Sequence, residues 1–256
     1  MLTPIGPVYD LSGKTALVTG ASSGLGAHFA AVLADRGANL VLAARRMQAL
    51  EQLAAELRFN ARGTVVAVQL DVTDPASVSR AFESLAGIDI LVNNAGVVRS
   101  APALEQSEAD WDEVMDTNLK GVFLVAQAAA KAMRASSKGG SIINVASILG
   151  VRQASAVLPY GVSKAGVIQM TKVLALELAR FKVRVNALVP GYFDTELNRE
   201  FWSTEAGQAL IRRVPQRRLG RPSDLDGPLL LLASDASSFM TGSVLAVDGG
   251  HLVSGL

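Results

Sequence analysis

Short runs of consecutive apolar residues alternate with longer amphipathic stretches along this chain. The runs lie at Thr15 to Thr19, Asn39 to Ala43, Val65 to Leu70, Asp89 to Val92, Ser141 to Ala146, Val183 to Val189 and Ser243 to Val247. Apolar character at successive positions, instead of alternate ones, predicts strands covered on both faces, as in a parallel sheet. Between them, Gly24 to Arg36, Met47 to Leu57, Pro75 to Leu85 and Ser107 to Met133 carry helical periodicity, and Gly37 closes the first of these. The alternation predicts an α/β chain: a Rossmann-type, doubly wound, seven-stranded parallel sheet with helices on both faces. No repeat, low-complexity tract or linker interrupts it, so residues 1–256 read as one domain.

Composition narrows the function classes. Half of the 256 residues are hydrophobic, which excludes disorder and supplies a sizeable core. There is no cysteine, hence no thiol nucleophile, disulfide framework or Cys-ligated metal, and His28 and His251 are too isolated in sequence to suggest any other metal site. A net charge of +1 and 5% aromatic residues offer neither field nor stacking platforms for nucleic acid. The first ten residues carry no basic cluster followed by an apolar run, and stretches such as Leu229 to Ala233 fall far short of the ~20 residues of a membrane span. The expectation is a soluble, cytoplasmic protein with a small-molecule partner and neither membrane nor nucleic-acid partners.

In a doubly wound sheet the ligand lies beyond the carboxyl ends of the strands. There the chain places Gly20, Arg45, Asp71, Asn93 to Gly96, Ser147, and Pro190 with Gly191. After the first strand, Thr19-Gly20-Ala21-Ser22-Ser23-Gly24-Leu25-Gly26 opens directly into a helix. Glycines permit a tight turn and close backbone approach, and the helix N-terminus offers unpaired N–H groups to a pyrophosphate. A plain strand-to-helix turn is the alternative, but the position after the first strand of a βαβ unit favours a dinucleotide. The second strand ends in Ala44-Arg45-Arg46 with no acid before Glu51, which favours a 2′-phosphate over a free ribose. The cofactor expected is NADP(H), with NAD(H) the alternative; Arg45 is the principal phosphate ligand, aided by Arg46 and the Ser22 or Ser23 hydroxyl. Asp71 either accepts from an adenine amino group or is an ordinary loop aspartate.

Tyr160 and Lys164 are four apart on a helical stretch and share a face. A free phenol titrates near ~10, so a neighbouring cation is needed before it can act as a base near neutrality. Ser147 ends the fifth run, where its hydroxyl can donate to a substrate oxygen. Asn118 falls on the apolar face defined by Trp111, Val114 and Met115, so it is either a satisfied core amide or an anchor for water in a proton path ending at Lys164.

With these residues in order, the sequence resembles the short-chain dehydrogenase/reductase family, in its branch of about 250 residues. The likeness runs from Lys14 to about Gly250 and rests on Thr19-Gly20-x-x-x-Gly24-x-Gly26, Asn93-Asn94-Ala95-Gly96, Asn118, Ser147, Tyr160-x-x-x-Lys164 and Pro190-Gly191. Ser147 and Tyr160 stand 13 apart, the family's usual separation. The resemblance implies an NAD(P)-dependent alcohol dehydrogenase or ketone reductase. Tyr160 is then the general acid in carbonyl reduction and the base in alcohol oxidation, and Ser147 polarises the reacting oxygen. Lys164 binds the nicotinamide ribose and lowers the tyrosine pKa, and Asn118 anchors the relay. Asn94, Ala95 and Gly96 line the adenosine ribose, Asp71 with Val72 meets adenine, and Pro190, Gly191, Phe193 and Thr195 frame the nicotinamide. A homotetramer is also implied. NADP-using relatives often carry a basic residue inside the glycine turn, and Ser22-Ser23 departs from that.

Substrate choice falls to the segment 192–221, rich in charge and aromatics and read as a lid. Gln153, Tyr192 and Phe201 are its candidate pocket residues, with a surface helix pair as the alternative. Gluconate 5-dehydrogenase-like and 3-oxoacyl-(acyl-carrier-protein) reductase-like members are the nearest likenesses, so a sugar acid or 3-oxoacyl compound is the expected substrate. A dinucleotide-sensing protein without turnover is the rival reading; the intact set Asn118, Ser147, Tyr160 and Lys164 favours the enzyme.

Overall fold

A computed structural model describes residues 9–85, 87–194 and 199–255. Its strands are β1 (Thr15–Thr19), β2 (Asn39–Ala44), β3 (Val65–Gln69), β4 (Ile90–Asn93), β5 (Gly140–Val145), β6 (Val183–Pro190) and β7 (Val244–Val247). They form one sheet in the order β3-β2-β1-β4-β5-β6-β7, and every pairing is parallel. The chain thus runs outward from β1 to β3, returns to β4 on the other side of β1, and runs outward again. That reversal leaves a crevice beyond the carboxyl ends of β1 and β4.

The helices are α1 (Gly24–Asp35), α2 (Met47–Arg58), α3 (Pro75–Glu83), α4 (Glu108–Met115), α5 (Gly121–Ser136), α6 (Leu158–Leu178), α7 (Arg199–Trp202), α8 (Glu205–Arg213) and α9 (Asp226–Ala233). Two starts show why they begin where they do. Asp74 caps α3 by accepting from the Ala76 N–H at 2.9 Å, with Pro75 at the first helical position, where its missing N–H is harmless. Ser107 caps α4 by accepting from the Asp110 N–H at 3.1 Å.

Successive strand residues point to opposite faces, and both faces are dry. On β1 and β2, Ala16, Val18, Leu40 and Leu42 join the core with Phe29 and Leu33 of α1, while Leu17, Val41 and Ala43 join the opposite core with Val125, Ala129 and Met133 of α5. Continuous apolar runs are the sequence consequence of that two-sided burial. Among the described residues, no helix is long and apolar enough to cross a membrane.

One local feature departs from the sequence expectation. Ser107 to Met133 is not one regular helix: Asp116–Lys120 forms a π-helical turn between α4 and α5. Asn118 sits in the middle of that turn, fully buried.

Candidate active site

A cleft of about 490 Å³ opens at the crevice beyond β1 and β4. Gly20, Ser22, Ser23, Gly24 and Leu25 line one end together with Arg45, Arg46, Asp71 and Val72. Asn94, Ala95 and Gly96 form its middle, and Ser147, Tyr160, Lys164, Pro190, Gly191 and Phe193 close the other end. Residues more than 170 positions apart in sequence therefore meet in one cavity. Gly26 and Asn118 support the wall from behind it.

The glycine turn is packed against the β4 loop so closely that side chains are excluded. A Cβ on Gly20 would meet the Ala95 Cα at 2.9 Å, and one on Gly26 would meet the Gly20 carbonyl oxygen at 2.2 Å and Asn94 Nδ2 at 2.6 Å. Thr19 ties the two loops: its hydroxyl accepts from the Asn94 and Ala95 N–H groups at 2.9 and 3.1 Å, and its carbonyl accepts from Asn94 Nδ2 at 3.0 Å. Ser23, at the N-cap of α1, makes no side-chain cap. The first-turn N–H groups of α1 are thus presented to the cleft, an anion-binding arrangement.

The arginines sort themselves differently from the sequence expectation. Arg46, not Arg45, is held in the turn: one guanidinium nitrogen donates to Ser22 Oγ at 3.0 Å and to Ser23 Oγ at 2.9 Å. Arg45 also lines the cleft. The basic residue that looked missing from the glycine turn is supplied from the end of β2, so two guanidinium groups stand where a carboxylate would select a free ribose. A dinucleotide carrying a 2′-phosphate fits this end: turn, helix terminus and cations are complementary to its phosphates.

Asp71 is partly committed. Its Oδ1 accepts from the Thr73 N–H at 2.9 Å and the Thr73 hydroxyl at 2.7 Å. Burial raises its pKa, but these bonds and the Arg45 charge outweigh that and leave the carboxyl below its ordinary range. The second carboxylate oxygen is left to face the cleft.

At the chemistry end, Lys164 is buried and donates from Nζ to the Val145 carbonyl at 2.8 Å. Its Nζ lies 5.7 Å from the centroid of the Tyr160 ring. Burial lowers the Lys164 pKa to about 8. Burial likewise pushes the Tyr160 phenol up, a larger effect than the opposing hydrogen bond with Ser147. The expectation that Lys164 lowers the tyrosine pKa is therefore not met in the cofactor-free protein, because desolvation of the phenolate dominates. A protonated phenol is the form that can donate a proton. Ser147 accepts the Leu149 N–H at 3.1 Å, which fixes its side chain at the mouth of a 3-10 turn.

Asn118 is a satisfied core amide. Its Oδ1 accepts the Val97 N–H at 2.8 Å, and its Nδ2 donates to the Val97 carbonyl at 2.8 Å and Ser163 Oγ at 3.3 Å. It locks the strand-like segment after β4 to α6 beside Lys164. The sequence reading missed Ser163, although it precedes Lys164 directly and follows Tyr160 by three, one turn along the same helix. It also missed Thr117, Val97 and Val98 as cleft walls, since nothing in their chemistry marks them.

Two substrate candidates lie elsewhere. Gln153 is exposed and does not line the cleft. Tyr192 lies behind Phe193, its ring 5.6 Å from Trp202 and 5.4 Å from His251 between centroids. Phe201 stacks edge-on to Trp202 at 5.0 Å. Thr195 lies outside the described residues.

A family model described as enoyl-(acyl carrier protein) reductase matches residues 20–251. The chain belongs to the short-chain dehydrogenase/reductase family, and its class is that of an oxidoreductase acting on alcohol and carbonyl groups. It is 42% identical to 2-dehydro-3-deoxy-D-gluconate 5-dehydrogenase of Escherichia coli over 95% of this chain and 97% of that one. It is 38% identical to a 3-oxoacyl-(acyl-carrier-protein) reductase of Thermotoga maritima over 95% and 99%. Among solved structures, a gluconate 5-dehydrogenase from Burkholderia cenocepacia in complex with NADP and tartrate superposes with a TM-score of 0.93 at 37% identity, covering 97% of this chain and 98% of that one.

Proposed function

We propose that this protein is an NADP(H)-linked oxidoreductase that interconverts a secondary alcohol and its ketone, with Tyr160 as proton donor and acceptor. The observation that carries the proposal is the convergence of Ser147, Tyr160 and Lys164 at one end of a cleft whose other end is a phosphate-binding turn. NADPH supplies the hydride when bound. Ser147 and Tyr160 hold the substrate oxygen, and the phenol delivers the proton as negative charge develops there. Lys164, braced by the Val145 carbonyl, keeps a positive charge beside the phenol at neutral pH, and Asn118 fixes the helix that carries both. The relatives named for gluconate and 3-oxoacyl substrates support a hydroxyl-to-ketone reaction. Solvent-facing Phe123, Val162, Val173 and Leu176 along α5 and α6 supply an apolar face that suits the homotetramer implied by the family.

Cofactor choice is tested by titrating NADPH and NADH into the parent, Arg45→Ala and Arg46→Ala. Loss of a charge-assisted phosphate contact weakens NADPH roughly ten- to hundredfold per arginine while NADH stays within about twofold. Tighter binding of NADH by the parent, or indifference of NADPH to both substitutions, refutes the cofactor assignment.

A further inference from the structure

A second cavity, separate from the dinucleotide cleft, is lined by Arg152, Arg212, Arg213, Pro215, Arg217, Ser254 and Gly255. Four guanidinium groups face it in a chain whose net charge is only +1. Among the described residues, no carboxylate forms a salt bridge with any of the four. Like charges gathered without a counter-charge repel one another, so the arrangement is complementary to an anion.

Two of the four are braced by neutral acceptors. Arg152 donates to the His251 carbonyl and to Ser254 Oγ, the latter at 3.0 Å, and Arg217 donates to the Arg212 carbonyl. The guanidinium groups of Arg212 and Arg213 take no protein acceptor among the described residues and project from the last turn of α8. Fixed and free cations side by side suit bidentate capture of a carboxylate or a phosphate ester.

The cavity borders the chemistry. Arg152 follows Ser147 by five residues, at the end of the 3-10 turn Ile148–Gly150. Through His251 it abuts Tyr192, whose ring is 5.4 Å from the imidazole between centroids. Burial raises the Tyr192 pKa, and the Arg152 and Arg213 charges oppose that rise, which places both cations within electrostatic reach of its phenol. Tyr192 in turn bears on Tyr160, where its charge adds to the upward shift. The imidazole of His251 is buried, with Nδ1 lacking a protein partner, and burial followed by the Arg152 charge keeps it neutral by lowering its pKa. The line from Tyr160 through Tyr192 to the arginines therefore joins proton donor and anion site on the substrate side.

We propose that Arg152, Arg212, Arg213 and Arg217 bind the anionic end, a carboxylate or phosphate ester, of the substrate whose hydroxyl or ketone reaches Tyr160. The inference rests on the oxidoreductase reading and names its substrate class: a hydroxy or oxo compound carrying a terminal oxyanion. Arg212 and Arg213 set specificity; neither touches the reacting atoms.

The test uses the full chain loaded with NADP⁺, which keeps probe anions out of the phosphate turn. D-gluconate, D-glucitol and D-glucitol 6-phosphate share a carbon chain and differ in terminal charge. Calorimetric titration should show at least one charged probe binding about tenfold or more tightly than D-glucitol, and the tighter of the two identifies carboxylate or phosphate. Arg212→Met and Arg213→Met, both on an exposed helix end, should each reduce that affinity about tenfold and move D-glucitol less than twofold. Equal affinity of charged and neutral probes, or equal losses for both in the variants, overturns the proposal. Tyr160→Phe separates the two readings. Charge-selective binding retained alongside undiminished turnover sinks only the catalytic assignment, whereas lost turnover with charge-blind binding sinks only the arginine site.

Discussion

Replacing Asn118 gives a sharp test of how the site is held together. Its side chain is fully buried and makes three hydrogen bonds, two of them to the backbone N–H and carbonyl of Val97. In Asn118→Ala both Val97 groups lose their partner in a partly buried segment. A buried group left unsatisfied costs about 1–3 kcal/mol, so about 2–4 kcal/mol of stability goes, the lower half applying if water enters the space. Asn118→Asp separates geometry from polarity. A neutral carboxylic acid can accept from the Val97 N–H and donate to its carbonyl, reproducing the amide; a carboxylate cannot donate, and its charge is desolvated. The folded pKa of such an aspartate is raised above its unfolded value. Its stabilisation is fully present below the unfolded pKa near ~4 and is lost as pH rises through the folded pKa. Urea unfolding should therefore find Asn118→Asp close to the parent near pH 4.5 and about as unstable as Asn118→Ala at pH 8, with m unchanged. An Asn118→Ala loss below ~0.5 kcal/mol, or an aspartate variant whose deficit ignores pH, would refute the reasoning.

Three other outcomes follow from the geometry. Gly26→Ala drives a methyl against the Gly20 carbonyl oxygen at 2.2 Å, backbone on backbone. It should cost about 1–3 kcal/mol in stability and weaken NADPH by more than tenfold in the same titration as above; an unchanged thermal midpoint and NADPH affinity would show that the turn is not so tightly built. Lys164, buried and lowered from 10.5 to about 8, binds fewer protons when folded than when unfolded across that window. The parent should gain stability relative to Lys164→Met as pH rises from 8 toward 10, by up to about 3 kcal/mol at full titration, and a pH-independent difference would contradict the burial argument. Because the Tyr160 phenol is pushed up, the protonated form prevails at neutral pH, so alcohol oxidation should accelerate with pH between 7 and 9 more steeply than ketone reduction; parallel profiles would contradict it.

The strands were legible in the sequence because burial on both faces writes consecutive apolar residues, and Thr15–Thr19 was read with its observed bounds. The order of motifs after the strands was legible for the same topological reason: ligand residues lie where strands end. The π-helical turn at Asp116–Lys120 was not, since a single wider turn leaves no period of its own. Asn118 was still placed on the buried side, because Val114 and Asn118 face inward whether or not the turn is widened. Arg46 was ranked behind Arg45 because a residue's direction at a strand end depends on backbone dihedrals that neither composition nor spacing reports. Ser22 and Ser23, from 23 to 24 residues away, decide it. The arginine cavity joins Arg152 to residues 60 to 103 positions later, so only the folded chain brings it into view.

The central claim is that the Tyr160 phenol transfers the proton that accompanies hydride transfer. Single-turnover reduction of a ketone that the parent turns over, followed at the nicotinamide absorbance with NADPH in excess, measures that step directly. Tyr160→Phe should bind NADPH with the parent's affinity to within about threefold and reduce the ketone about 10²–10⁴-fold more slowly. A Tyr160→Phe protein that reduces the ketone within about threefold of the parent rate would contradict the claim.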